Sequence, residues 1–86
     1  MDDNKTTVFN VGILREKLVL LVLNEVITAM KNNGYNPVNQ LVGYLTSGDL
    51  GYITSKEGAR DKLARFQKEE VLKALINGYL GKWVDI

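Results

Sequence analysis

Thr6 and Thr7 are adjacent hydroxyls in a stretch, residues 2–7, that is polar throughout. A kinase must thread its acceptor into an active site, and an accessible polar terminus permits that. One phosphate carries about −1.5 to −2 charge units, enough to move the formal net charge from +1 to about −1. The other chemistry-bearing residues are less promising. Glu69 and Glu70 are sequence neighbours and point about 100° apart on a helix. With Lys68 and Lys73 beside them they read as a solvated helix face, not a general acid–base pair. Asp49 stands between Gly48 and Gly51, where turn formation accounts for it. No Lys-Ser/Thr follows those glycines, as a phosphate-cradling P-loop would require.

Composition closes off whole classes of function. The chain of 86 residues has no His and no Cys. Ser-His-Asp triads, thiolate or Cys2His2 zinc sites and disulfides are excluded with them. No catalytic residue, metal or cofactor is expected, and the chain does not read as an enzyme. Tyr35, Tyr44, Tyr52 and Tyr79 read as core-edge packing with the hydroxyl in water, not as base-stacking platforms.

Nucleic acid and membrane are the remaining partners to weigh. Lys56, Arg60, Lys62, Arg65, Lys68 and Lys73 are interleaved with Glu57, Asp61, Glu69 and Glu70, so segment 56–73 carries only +2. A helical dimer touching DNA through this segment is the alternative reading. The connection over residues 47–54 is longer than the three or four residues of a helix-turn-helix, so nucleic acid is not expected. The start, Met1-Asp2-Asp3-Asn4-Lys5, lacks the basic and apolar regions of a secretory signal. The most apolar run, residues 18–23, is far short of the ~20 residues of a membrane span. A cytoplasmic location without membrane insertion follows as the expectation.

Four helices must position these groups. Residues 1–12 read as a flexible arm, with Val8, Phe9 and Val11 as a short extended piece and Gly12 closing it. Residues 13–86 read as one helical domain. Over residues 14–33, Leu18, Val19, Leu20, Val22, Leu23, Val26, Ile27 and Met30 fill an arc of roughly 200°, against the stripe of a little over ~100° that one neighbour covers. Several helices or a second subunit must surround it. The expected dimer interface is therefore Leu18, Val19, Val22, Leu23, Val26 and Met30. Gly34 suits the left-handed position after this helix. Asn36-Pro37 caps and starts the next, with Val38, Leu41, Val42 and Leu45 on one face. Ser47-Gly48 ends it, and residues 49–53 form a loop. Thr54 with Glu57 reads as a capping box opening a third helix that carries Ala59, Leu63 and Phe66. Val71, Leu72, Leu75, Ile76, Tyr79 and Leu80 form a second set out of phase with the first, which predicts a break near residues 67–69. Gly81 ends the last helix, and Trp83 and Ile86 are expected to fold back onto apolar surface.

The middle of the chain is distinctive. Gly34-Tyr35-Asn36-Pro37-Val38-Asn39-Gln40-Leu41-Val42-Gly43-Tyr44-Leu45, followed by Ser47-Gly48-Asp49, closely resembles the signature block of the IreB family. Tyr52-Ile53, Ala59-Arg60, Glu69-Glu70-Val71 and Tyr79-Leu80 extend the resemblance. These are small regulatory phosphoproteins of low-GC Gram-positive bacteria. The resemblance implies an all-α homodimer with a mobile arm. It implies a substrate of a membrane Ser/Thr kinase with extracellular wall-binding repeats, and of its partner phosphatase. It implies a negative regulator of cell-wall stress responses, including cephalosporin resistance, acting on an unknown downstream protein. Phosphorylation in the family falls in the N-terminal arm. Thr7-Val8-Phe9 is similar to one such site. The other lies three residues earlier, where this chain has Asn4, and Thr6 is its nearest substitute.

Overall fold

The computed structural model describes the backbone of residues 2–81 and the side chains of residues 12–81. The side chains of Thr6 and Thr7, and the expected fold-back of Trp83 and Ile86, lie outside the described residues. Among those residues the chain is all-helical, without a strand. Helix α1 is Asp2–Asn32, α2 Pro37–Ser47, α3 Ala59–Leu63 and α4 Lys68–Leu80. Two 3-10 turns, Leu50–Tyr52 and Lys56–Gly58, link α2 to α3.

Helix α1 starts well ahead of residue 14, where the apolar periodicity sets in. Helical backbone covers segment 2–12 and replaces the extended piece expected at Val8, Phe9 and Val11. Gly12 does not stop it. One interior glycine costs a helix about 1 kcal/mol against alanine, which a propagating helix tolerates. At 1.5 Å per residue the helix runs ~46 Å, and it sets the long dimension of a 50 × 23 × 21 Å molecule.

The second half of α1 is the hub of the core. Val19, Leu23, Val26, Ala29 and Met30 are buried, and Leu20, Val22 and Ile27 are partly so. Ala59 and Leu63 of α3 and Val71 and Ala74 of α4 close over them, with Leu41 and Tyr44 of α2 and Ile53 of the loop. The over-wide apolar arc of α1 is thus met largely within the chain, by three helices. Helix α4 is buried on one side only. Of its six expected apolar positions, Val71 is in the core and Leu75 partly packed, while Leu72, Ile76, Tyr79 and Leu80 face outward.

Caps fix the ends of these helices. Gly34 sits at φ +79 and lets Tyr35 N–H reach the Met30 carbonyl at 2.9 Å. Asn36 is the N-cap of α2, its side chain accepting from Asn39 N–H at 3.0 Å, with Pro37 in the first turn. Gly48, at φ +78, donates to the Tyr44 carbonyl at 2.7 Å and ends α2. Replacing Asn36 by Ala removes the cap acceptor and is expected to lower stability by ~1 kcal/mol in urea unfolding. Asn36→Asp, which also caps, is expected to be nearly neutral.

The connection to α3 departs from the capping box expected at Thr54 and Glu57. Glu57 takes φ +54, and its carboxylate accepts from Asn33 Nδ2 at 2.9 Å, tying the turn to the end of α1. Thr54 Oγ1 accepts from Lys56 N–H instead, while Gln40 Oε1 holds Thr54 N–H at 2.9 Å. A left-handed Glu57 and Gly58 delay the helix to Ala59. The break expected near residues 67–69 falls slightly earlier, at residues 64–67, since α3 ends at Leu63 and Gln67 caps α4.

Candidate functional site

Thr6 and Thr7 lie on α1 backbone, ahead of the core residues described for that helix. Arg15 stands just ahead of those core residues. Its Nε donates to Glu70 Oε2 at 2.7 Å and its Nη2 to Glu70 Oε1 at 3.1 Å, a two-pronged ion pair across 55 residues of sequence. The Arg15 guanidinium also lies 5.2 Å from the centroid of the Phe66 ring, within cation–π range. Glu70 Oε1 accepts from Gln67 N–H at 3.0 Å, so one carboxylate both caps α4 and holds α1. Lys73 and Glu16 add a looser pair at 3.8 Å. Gly12, Arg15, Glu16, Val19, Glu70 and Lys73 line a groove between α1 and α4.

The hydrogen bond from Arg15, followed by the backbone bond from Gln67, lowers the Glu70 pKa. A depressed carboxylate stabilises the fold above its unfolded pKa and loses that contribution as pH falls through its folded value. Glu70→Gln retains a cap acceptor but removes the charge. The variant is expected to show a flatter acid limb of stability between pH 5 and the acid midpoint, read by urea unfolding across pH. Tyr44 is the other shifted group. Burial, then the charge of Glu69, raises its pKa, so the phenol stays protonated.

Outside the core, three helices carry apolar surface. On α1, Leu14, Leu18 and Leu21 are 62%, 47% and 61% exposed and share one face at i, i+4 and i+7. On α2, Val38 and Val42 are exposed. On α4 the outer stripe is Leu72, Ile76, Tyr79 and Leu80. Of the six residues expected at a dimer interface, Val19, Leu23, Val26 and Met30 are buried by the chain's own helices. Leu18 is exposed and Val22 half-buried.

Three residues of the basic segment are engaged. Arg60 Nε donates to the Ile53 carbonyl at 2.9 Å, Lys62 pairs with Glu25 at 3.2 Å, and Lys73 with Glu16. Helix α3 has five residues, too short to lie along a DNA groove as a recognition helix. Among the described residues no group of three or more His, Cys, Asp or Glu is placed to hold a metal. None of the described helices is long and apolar enough to cross a membrane.

Residues 4–81 match the sequence model of the IreB regulatory phosphoprotein family. The chain belongs to the IreB family. The match includes both threonines and the whole block over residues 34–49, so the regulatory phosphoprotein role is a property of this chain's family. The structure gives much of the IreB block a folding task. Gly34, Asn36, Pro37 and Gly48 shape the ends of helices. Gly43 is a role that sequence reasoning missed. A Cβ there would overlap the Tyr52 ring, whose Cγ, Cδ1 and Cε1 atoms occupy that space. Its only sequence signal is a glycine inside an otherwise sound helix. The Arg15–Glu70 pair carried no local signal at all.

Proposed function

We propose that this chain is a non-enzymatic regulatory phosphoprotein, phosphorylated on Thr7 or Thr6 by a membrane Ser/Thr kinase and reset by its phosphatase. It acts as a homodimer in the cytoplasm and restrains a cell-wall stress response, cephalosporin resistance included, through a downstream protein. The observation that carries this reading is the family match over residues 4–81, which spans the polar segment with both threonines. The backbone geometry supports it. Helix ends open at low cost, and the segment lies at the end of α1, ahead of the Arg15–Glu70 clamp, where a kinase can unwind it. Added charge then acts at one end of the molecule, away from α2 and its caps.

The dimer is proposed to form through the outer face of α1, with Leu14, Leu18 and Leu21 at its centre and Val22 beside them. Leu18 and Val22 come from the apolar arc of this helix, and Leu14 and Leu21 extend the same exposed side. Deleting the gene is expected to raise cephalosporin resistance, and restoring it to reverse the change. Unaltered resistance in the deletion contradicts the regulatory reading.

A further inference from the structure

We propose that Asn33 is a site of spontaneous deamidation, held in check by Glu57. The sequence has two Asn-Gly pairs, Asn33-Gly34 and Asn77-Gly78. A glycine after asparagine leaves the next backbone nitrogen without a side chain to shield it, and that nitrogen can attack the asparagine amide. The fold separates the two pairs. Asn77 and Gly78 are half-buried inside α4, where the helical backbone keeps the Gly78 nitrogen in the hydrogen-bonded ladder. Asn33 and Gly34 are exposed and stand just past the end of α1. A Cβ on Gly34 would meet nothing within 4 Å, and its N–H makes only a long turn bond, 3.2 Å, to the Lys31 carbonyl. A single exposed turn opens at low cost.

The hydrogen bonds of its own amide restrain Asn33. Nδ2 donates to the Ala29 carbonyl at 2.7 Å and to Glu57 Oε2 at 2.9 Å, which draws the side chain back over α1 and away from Gly34. Glu57 makes this contact from a left-handed backbone, φ +54, that a residue with a Cβ rarely adopts. In the reaction the Gly34 nitrogen gives its proton to solvent and bonds to Asn33 Cγ. The Cγ–Nδ2 bond breaks and ammonia leaves, closing a succinimide ring. Water then opens either carbonyl of that ring, giving aspartate or isoaspartate. Amide and water thus become carboxylate and ammonium. The product offers no N–H to either acceptor, and its charge faces the Glu57 carboxylate and the negative end of α1. The hydrogen-bonded tie between α1 and the turn Lys56–Gly58, which leads into α3, is lost. The change needs neither threonine.

The full chain is kept for days at neutral pH, in native buffer and in parallel in urea. Digestion and mass spectrometry read the one-dalton gain at each Asn-Gly pair, and enzymatic isoaspartate labelling identifies the linkage. In the folded chain Asn33 is expected to convert several-fold faster than Asn77, and in urea the two rates should converge. Glu57→Gly keeps the left-handed turn available and removes the acceptor. It should raise the Asn33 rate several-fold with far-UV circular dichroism unchanged. Glu57→Gln retains an acceptor and should stay near the native rate. Asn33→Asp, which carries the charge of the product, should speed amide exchange over residues 54–58 several-fold. The proposal is overturned if Asn33 converts no faster than Asn77 in the folded chain, or if Glu57→Gly keeps the native rate. Equal acceleration by Glu57→Gln and Glu57→Gly, or unchanged exchange in Asn33→Asp, overturns it as well.

Discussion

Val26→Asp is expected to unfold the chain at room temperature. Val26 is fully buried in the hub of α1, among residues from the other helices. A carboxylate placed there has no partner and no water, and an unpaired buried charge costs several kcal/mol even after its pKa rises. A domain of this size has about 4–13 kcal/mol of stability at ~0.05–0.15 kcal/mol per residue. The lost packing of the valine adds to the charge penalty. Circular dichroism should show the helical signal collapse for Val26→Asp. Leu63→Ala, which leaves only a cavity, should stay folded with a loss of about 2–5 kcal/mol.

The double substitution Leu18→Glu with Leu21→Glu is expected to do the reverse: keep the fold and abolish the dimer. Both side chains are about half exposed or more in the single chain, so glutamate there meets water and changes protomer stability within about 0.5 kcal/mol. In a symmetric dimer each substitution appears twice, and losing a contact at the centre of an interface costs about 1 kcal/mol or more per copy. A combined loss of about 4 kcal/mol weakens the dissociation constant near a thousandfold. Sedimentation should show the native chain dimeric and the variant monomeric at the same concentration, with unchanged helical content. A native chain that sediments as a folded monomer at high micromolar concentration contradicts the proposed dimer.

Local signals carried most of the helix boundaries. Asn36-Pro37 and Gly48 mark the ends of α2 because capping depends on a residue and its immediate neighbours. The mismatch in phase between Leu63–Phe66 and Val71–Leu75 marks the break, since two faces out of register cannot belong to one straight helix. Thr54 and Glu57 have the spacing of a capping box, but Gly58 allows a left-handed turn and Asn33 offers Glu57 a distant partner. That competition is tertiary and invisible in a short window. The early start of α1 was equally hidden, because polar residues 2–7 have no apolar period to betray a helix. For the site, hydroxyl type and position single out Thr6 and Thr7. Periodicity also shows which faces of α1 and α4 are apolar. It does not show what covers each face, which is why Val19, Leu23, Val26 and Met30 are legible as apolar but not as core. Arg15 and Glu70 meet only because α4 lies across α1.

Placing the phosphate on the chain tests the central proposal most directly. The purified protein is incubated with a membrane Ser/Thr kinase of the class proposed above and ATP, then digested and read by peptide mass spectrometry. Phosphate is expected only within residues 1–12, on Thr7 or Thr6, with no incorporation when both are replaced by Ala. Phosphate located only beyond Gly12, or undiminished incorporation in the double variant, would contradict it.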